Sequence, residues 1–496
     1  MPGDVPALHA EITRLREAGE RLRMLLEDKD AVIAHLRARN TELEERVARL
    51  ERLISRNSGN SSMPPSTDDL PGKKPPRREG KQGGGSKRKP GKQPGAPGAY
   101  LAWNEDPDKT ENLFPEGTCG CGADLAGAAD RGVRYSHQVT DLPEAKARTT
   151  QYDRHEVQCS CGRTHVADAP PEASGAPGTV TYGLNFQAWC VFLMVMHHVP
   201  VERCADIIAS MSGTRPSDGW VHALLGRAAR AVAAANKTIR ALIILAHVLS
   251  ADETPIRVGP GPKTRKRYLL VACTNLLTYY FLGDRSARTF AAFVFPDCGG
   301  AVVVHDRYQN YDAFPGLIHQ LCCQHLIRDL EDAAQTYPGA HWPVQIREAL
   351  RGLIHAANTA RASGLPAIPE DIAGPLIKAF RHGVILGLGQ VKKMDGRKQA
   401  PCRDLLEDLR DREDDVLRFT RDLRIPPTSN QAERDLRPSK TQQKISGRLR
   451  SEETTRHRYA IRGYASTADK HGTAVFTAIR DALAGNPWIP PIPAAT

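Results

Sequence analysis

The 496-residue chain has no unbroken apolar run approaching the ~18 residues that a membrane-spanning helix needs. Its N-terminus, MPGDVPALHAEITRL, lacks the basic start and apolar block of a secretory leader. Eleven cysteines, unevenly scattered through a chain of this length, do not make the dense disulfide framework of a small secreted domain. Acid is scarce where base is concentrated: residues 72–98 carry nine Lys or Arg against a single acid, Glu79. These absences argue against a membrane-embedded or disulfide-stapled protein. The expectation is a cytosolic one.

What is present is ordinary in bulk, 40% hydrophobic and 25% charged, but too long for one compact core, so several domains are expected. The net charge of +11 and pI of about 9.1 favour a polyanionic partner, either nucleic acid or an acidic membrane surface.

Residues 1–55 read as a coiled coil. Leu8, Leu15, Leu22, Leu36, Leu43 and Leu50 fall on one seam position, and Ile12, Leu26, Ile33, Asn40, Val47 and Ile54 on the other. Gly19 and Lys29 interrupt the pattern. Heptads of this length favour self-association over a helix packed on its own chain, and Asn40 in the seam would fix register. Residues 56–98, rich in Ser, Asn, Pro, Gly and Lys, cannot bury enough apolar surface to fold and read as a basic disordered linker.

Residues 99–175 contain two close cysteine pairs, Cys119/Cys121 and Cys159/Cys161, each followed by Gly. Paired thiols of this kind suit tetrahedral Zn²⁺, with His165 as a possible substitute ligand, although C-x-C is tighter than the usual C-x-x-C. Residues 176–246 read as helical, with two helices separated by SGTRPSDG. That pattern suits a helix-turn-helix DNA reader and plain helix packing equally.

Between residues 241 and 284 lie three β-prone runs, ALIILAHVLSADETPIRV, RYLLVACT and TYYFLGD, read as a three-strand meander. SARTFAAFV reads as a helix and Ala301 to Val304 as a fourth strand. A mainly helical stretch beginning at HQLCCQHLIRDL is expected to reach about Phe419. The order implies a mixed α/β layer fold.

Asp252 and Asp306 each stand at the end of an apolar strand, where a charge is costly unless paired or metal-bound. Two carboxylates brought together by adjacent strands would repel unless protonated or bridged by a cation, and hard oxygen ligands suit Mg²⁺ or Mn²⁺. In PPTSNQAERDLRPSK, the Pro pair stops one element and Thr428 or Ser429 can cap the next helix. Asn430, Glu433 and Arg437 then share one helical face, leaving Glu433 either a metal ligand or half of a local ion pair with Arg437. Asp435 points about 200° away from Glu433. The bases just beyond Glu433, namely Arg434, Arg437, Lys440, Lys444, Arg448 and Arg450, suit contacts to DNA phosphates.

Asp252 in ADETPIRV, Asp306 in VVVHDRYQNY and Glu433 in NQAERDLRPSK resemble the three catalytic acids of Asp-Asp-Glu (DDE) transposases, and the chain is most similar to the insertion sequence 66 family. The likeness extends over the SRNSGNSSMPPSTD region, the basic linker, the cysteine pairs and the segment from YGLNFQAW onward. It implies a ribonuclease-H-like catalytic core over residues 247–485 with a helical insertion at about 326–425, and a tail at 486–496. It implies Mg²⁺ or Mn²⁺ held by Asp252, Asp306 and Glu433, and Zn²⁺ held by the two cysteine pairs. DNA would be nicked at the transposon end and joined to a target, with possible help from other proteins of the same element. The likeness also matches Cys322 and His325 to a C-x-x-H element beside the core, without its usual intervening aromatic. Of Asp252 and Glu253, which face opposite ways in an extended strand, it selects Asp252. The alternative from another class is a catalytically inactive, transposase-derived DNA-binding regulator.

Overall fold

The computed structural model describes residues 5–55, 101–142, 146–170, 180–259, 265–393 and 401–492. The expected linker at 56–98 lies outside them. No helix among the described residues is long and apolar enough to cross a membrane.

The N-terminal heptads form one helix, α1 (Val5–Ser55), which runs unbroken through Gly19 and Lys29. Seam residues Leu15, Leu22, Leu36 and Leu43 are exposed along it. The described residues between 101 and 170 hold little regular structure beyond a short hairpin of β1 (Glu156–Gln158) and β2 (Thr164–Val166).

Four helices follow: α2 (Leu184–Met196), α3 (Val201–Ser212), α4 (Asp218–Ala231) and α5 (Ala233–Ile244). The predicted break between α3 and α4 is real. Gly213 ends α3 in a left-handed conformation (φ 74°), and the Ser217 hydroxyl opens α4 by accepting from the Trp220 amide. The apolar run at Ala241 belongs to α5, not to the following strand, because Ile239 and Ile243 recur at helical spacing on its buried side.

A five-stranded sheet comes next, built from β3 (Val248–Val258), β4 (Arg265–Cys273), β5 (Thr278–Gly283), β6 (Val302–His305) and β7 (Ile318–Leu321). Its order is β5-β4-β3-β6-β7; β3, β4 and β5 pair antiparallel, while β6 joins β3, and β7 joins β6, in parallel. The short helix α6 (Ala287–Ala292) precedes β6. The fifth strand replaces what reads in sequence as the start of the helical stretch. IHQL pairs along its whole length with residues 302–305, and the helices begin only at Cys323.

Those helices are α7 (Cys323–Thr336), α8 (Trp342–Ala362), α9 (Glu370–Gln390), α10 (Pro401–Asp411) and α11 (Glu413–Leu417). They share an apolar core with the outer strands through Val302, Val304, Leu321, Leu326 and Trp342. The chain then returns as α12 (Asn430–Ile445), α13 (Glu452–Lys470) and α14 (Val475–Leu483).

The sheet separates two more cores. Leu249, Ala251, Leu270 and Ala272 face α2–α6, α13 and α14, whereas Ile256, Val258, Leu269 and Val271 pack on Ala432 and Leu436 of α12. The period-2 alternation of β3 thus assigns even-numbered residues to the α12 side and odd-numbered ones to the other. At Gly463, α13 comes so close to β5 that a Cβ would stand 3.1 Å from the Thr278 carbonyl oxygen.

Candidate active site

Asp252 lies on the α12 face of β3. Ser250 pairs with Val304 in the parallel ladder, and the same register carried two residues forward sets Asp252 level with Asp306, just past the end of β6. Each aspartate commits one oxygen to the backbone. The Glu253 amide donates to Asp252 Oδ1 at 2.8 Å, and the Tyr308 amide to Asp306 Oδ1 at 2.9 Å. Burial pushes the Asp252 carboxyl well above the usual carboxylate range; nearby Glu253 and Asp306 add to this, and His325 opposes it.

Glu433 comes from the first turn of α12. Its Oε1 is buried with no hydrogen-bond partner among the described residues, while Arg328 of α7 stands 3.7 Å away. Lys440 lies near both Glu433 and Asp252. Burial lowers its ammonium pKa and the two carboxylates pull it back up. The structure therefore draws Asp252, Asp306 and Glu433 into one electrostatic neighbourhood whose cations are His325, Arg328 and Lys440. Among the described residues, however, no three His, Cys, Asp or Glu side chains are gathered tightly enough to hold a metal ion. The orphaned Oε1 and the all-oxygen donor set fit a hard divalent ion such as Mg²⁺ or Mn²⁺.

Two expectations about α12 change. The cation next to Glu433 is Arg328, from a different helix, rather than Arg437 one turn along. The Ser429 side chain makes no cap hydrogen bond; it is buried, and its backbone N–H donates to Cys322 Sγ at 3.3 Å. With the Cys323 amide donating to the Pro427 carbonyl (2.9 Å), this fastens the start of α12 to the start of α7. Burial would raise the Cys322 thiol, but His325 and the Ser429 amide bring it down to about 7. His325 would be lowered by burial; instead Cys322, Asp252 and Asp306 push it up to about 10. Cys322 is buried and His325 half-buried beside the acids, and each draws the other toward its charged form.

Glu253 takes the opposite face, as alternation requires, but it is not solvated. Its side chain is only 1% exposed, bound by Arg285 and by the Tyr311 hydroxyl at 3.1 Å. Sequence reasoning also missed Arg307, which ties the Asp306 loop to Asp329 of α7 (3.1 Å) and to Asp408 of α10. A basic residue directly after the second acid was its only signal. Of the predicted phosphate contacts, Arg434, Arg437, Lys444, Arg448 and Arg450 are exposed, whereas Lys440 faces inward. Asn430 is also exposed.

Far along the chain, the cysteine pairs form two matching turns. The Cys119 amide donates to the Ala123 carbonyl and Cys159 to Arg163, both at 2.8 Å, and Gly122 and Gly162 adopt φ of 92° and 88°. Each turn brings its own two sulfurs together, Cys119 with Cys121 and Cys159 with Cys161. The single four-thiolate shell expected of Cys119, Cys121, Cys159 and Cys161 is nevertheless not assembled: all four thiols are free and exposed, and no metal-holding group forms among the described residues. The physical reason is that each turn is closed by its own backbone hydrogen bonds, while the residues around both turns are exposed and supply no core to press one turn on the other. His165 sits in β2, paired with Val157, and is exposed as well.

Comparison with known proteins bears on both halves of the chain. Residues 7–102 match a family of unknown function (DUF6444), and no curated protein matches the chain. Residues 179–457, which include every strand of the five-stranded sheet and all three acids, match the transposase IS66 family. The chain belongs to the IS66 family of transposases.

Proposed function

We propose that the protein binds the terminal inverted repeats of an insertion sequence and carries out metal-dependent DNA strand cleavage and strand transfer. Asp252, Asp306 and Glu433 are its catalytic acids. The observation that carries this reading is the register that sets Asp252 level with Asp306, with an unpartnered carboxylate oxygen of Glu433 offered from α12. The sheet order, with three antiparallel strands and two parallel ones beside the first, supports a ribonuclease-H-like core.

The three carboxylates would hold divalent Mg²⁺ or Mn²⁺, which supplies Lewis-acid activation of the attacking oxygen and charge relief at the leaving oxygen. The chain's own residues do the rest. The Glu253 and Tyr308 amides orient Asp252 and Asp306, and the Cys322–Ser429 contact sets the start of α12 and so the position of Glu433. Lys440 and Arg328 hold positive charge where a phosphodiester would enter, and Arg434, Arg437, Lys444, Arg448 and Arg450 bind flanking phosphates.

Self-association through α1 and closure of the two cysteine turns by one Zn²⁺ complete the reading, for a protein acting on chromosomal DNA in the cytoplasm. Metal analysis of the purified chain, with and without Cys121→Ser and Cys161→Ser, checks the zinc. The test of function is incubation with DNA carrying the element's ends and Mn²⁺. Nicking and joining are expected; binding to those ends with no cutting in either metal would make the protein the inactive regulator instead.

A further inference from the structure

The β3–β4 hairpin carries charge that the proposed chemistry does not use. Residues 254–283 contain no Asp or Glu but five bases: Arg257, Lys263, Arg265, Lys266 and Arg267. Arg257 and Lys266 are direct cross-strand partners, and both are exposed. Like charges placed opposite each other in a sheet repel and weaken the pairing. On the other face Arg267 has a counterion, Glu452, at 2.6 Å. The only carboxylate on the Arg257 face of the hairpin strands is Glu253, and it is already bound to Arg285.

A third segment extends this basic row. Val258 bridges Leu449 in parallel, and the Gly259 amide donates to the Leu449 carbonyl at 3.0 Å. Leu449 packs with Ile256 and Val258 on the α12 side, and its chain neighbours Arg448 and Arg450 are exposed. Carried back one residue, the bridge sets Arg448 level with Arg257, giving Lys266, Arg257 and Arg448 in one row across three segments. Tyr268 backs the row, with Lys266 Nζ 5.3 Å and the Arg285 guanidinium 5.1 Å from its ring centre. The ribbon also projects past β6, which pairs with β3 only as far as Ser250, so the row lies beyond the strand end that precedes Asp306 and on the other face of the sheet from Asp252.

We propose that this face of the β3–β4 hairpin, with Arg257 and Lys266 at its centre, grips the sugar–phosphate backbone of DNA on the side of the sheet opposite the acid pair, where the hairpin projects past β6. The inference rests on the reading of the protein as a DNA-processing enzyme. The anion that relieves the Arg257–Lys266 repulsion is then the substrate's own phosphates.

The test is fluorescence anisotropy of a labelled duplex with the full chain in EDTA, which prevents cleavage, across a series of KCl concentrations. Removing two phosphate contacts in Arg257→Gln/Lys266→Gln should lower the slope of log affinity against log salt by about 1.8 and weaken binding by some tens-fold at 0.1 M salt. Arg257→Lys/Lys266→Arg keeps both charges and should bind as the unaltered protein does. An unchanged slope in the Gln pair would overturn the proposal. So would an equal loss in the charge-preserving pair, because the effect would then lie in the fold and not in charge. Cleavage by the unaltered protein in Mn²⁺ is read separately: its absence would remove the catalytic reading while the salt slope still decides this one.

Discussion

Helix α12 carries two carboxylates, two residues apart, in opposite circumstances. Asp435 faces β5 and α13, where it accepts from Lys470 Nζ (2.8 Å), Thr278 Oγ1 (3.0 Å) and Gln431 Nε2 (3.1 Å), and Tyr280 donates to its backbone carbonyl. Glu433 faces β3 and α7, where Oε1 has no hydrogen bond and its nearest cation stands 3.7 Å away. A buried charge held by three donors is an anchor. A buried carboxylate oxygen left without them costs free energy in the resting fold. The anchored face fixes the helix against the sheet, so the other face can present Glu433 without being fastened itself.

The sharpest way to break this contrast is at the acids. Asp252→Ala, Asp306→Ala or Glu433→Gln is expected to reduce metal-dependent cleavage by ~10³-fold or more, equivalent to several kcal/mol of lost transition-state stabilisation. Glu433→Gln should leave the thermal midpoint unchanged or raise it. Asp435→Ala should do the reverse. It removes the counter-charge of the largely buried Lys470, leaving its ammonium to the Thr274 and Leu277 carbonyls, and is expected to cost about 3 kcal/mol, read from denaturant unfolding. If Asp435→Ala were neutral and Glu433→Gln strongly destabilising, the roles of the two faces would be exchanged.

A smaller effect is expected from His305, fully buried before Asp306, with Nε2 2.9 Å from His319 Nδ1 and its ring stacked on Tyr311. Burial, and then His319, lower it to about 3. The folded state therefore keeps this ring neutral while the unfolded chain binds a proton below about pH 6.5. Its contribution is a loss of stability as pH falls from about 6.5 toward 3. His305→Asn should flatten the pH dependence of the melting temperature in that window relative to the unaltered protein. The smallest effect belongs to Arg328→Gln. At 3.7 Å and partly exposed, its pairing with Glu433 should contribute ~1 kcal/mol or less by a double-mutant cycle.

Much of this was legible in the sequence because it is local. The alternation along β3 separates Asp252 from Glu253, and the proline stop before Asn430 together with helical spacing places Glu433 and Asp435 on different sides of α12. What sequence could not supply is contact at a distance. Lys470 lies 35 residues beyond Asp435, and Arg328 more than a hundred before Glu433, so neither pairing leaves a periodic trace. The fifth strand escaped for a different reason. IHQL is four residues long with two polar ones, and it gains its identity only by pairing with β6. The apolar run before β3 misled because helix and strand both accept ALII. Burial of Ile239 and Ile243 on α5 decided for the helix.

The central claim, that Asp252, Asp306 and Glu433 together hold a divalent ion, is tested most directly by titrating Mn²⁺ into the full-length protein and following free Mn²⁺ by electron paramagnetic resonance. Saturable binding is predicted for the unaltered chain, with strong weakening in Asp252→Asn, Asp306→Asn and Glu433→Gln alike. Equal Mn²⁺ binding by the unaltered protein and the triple variant would contradict it.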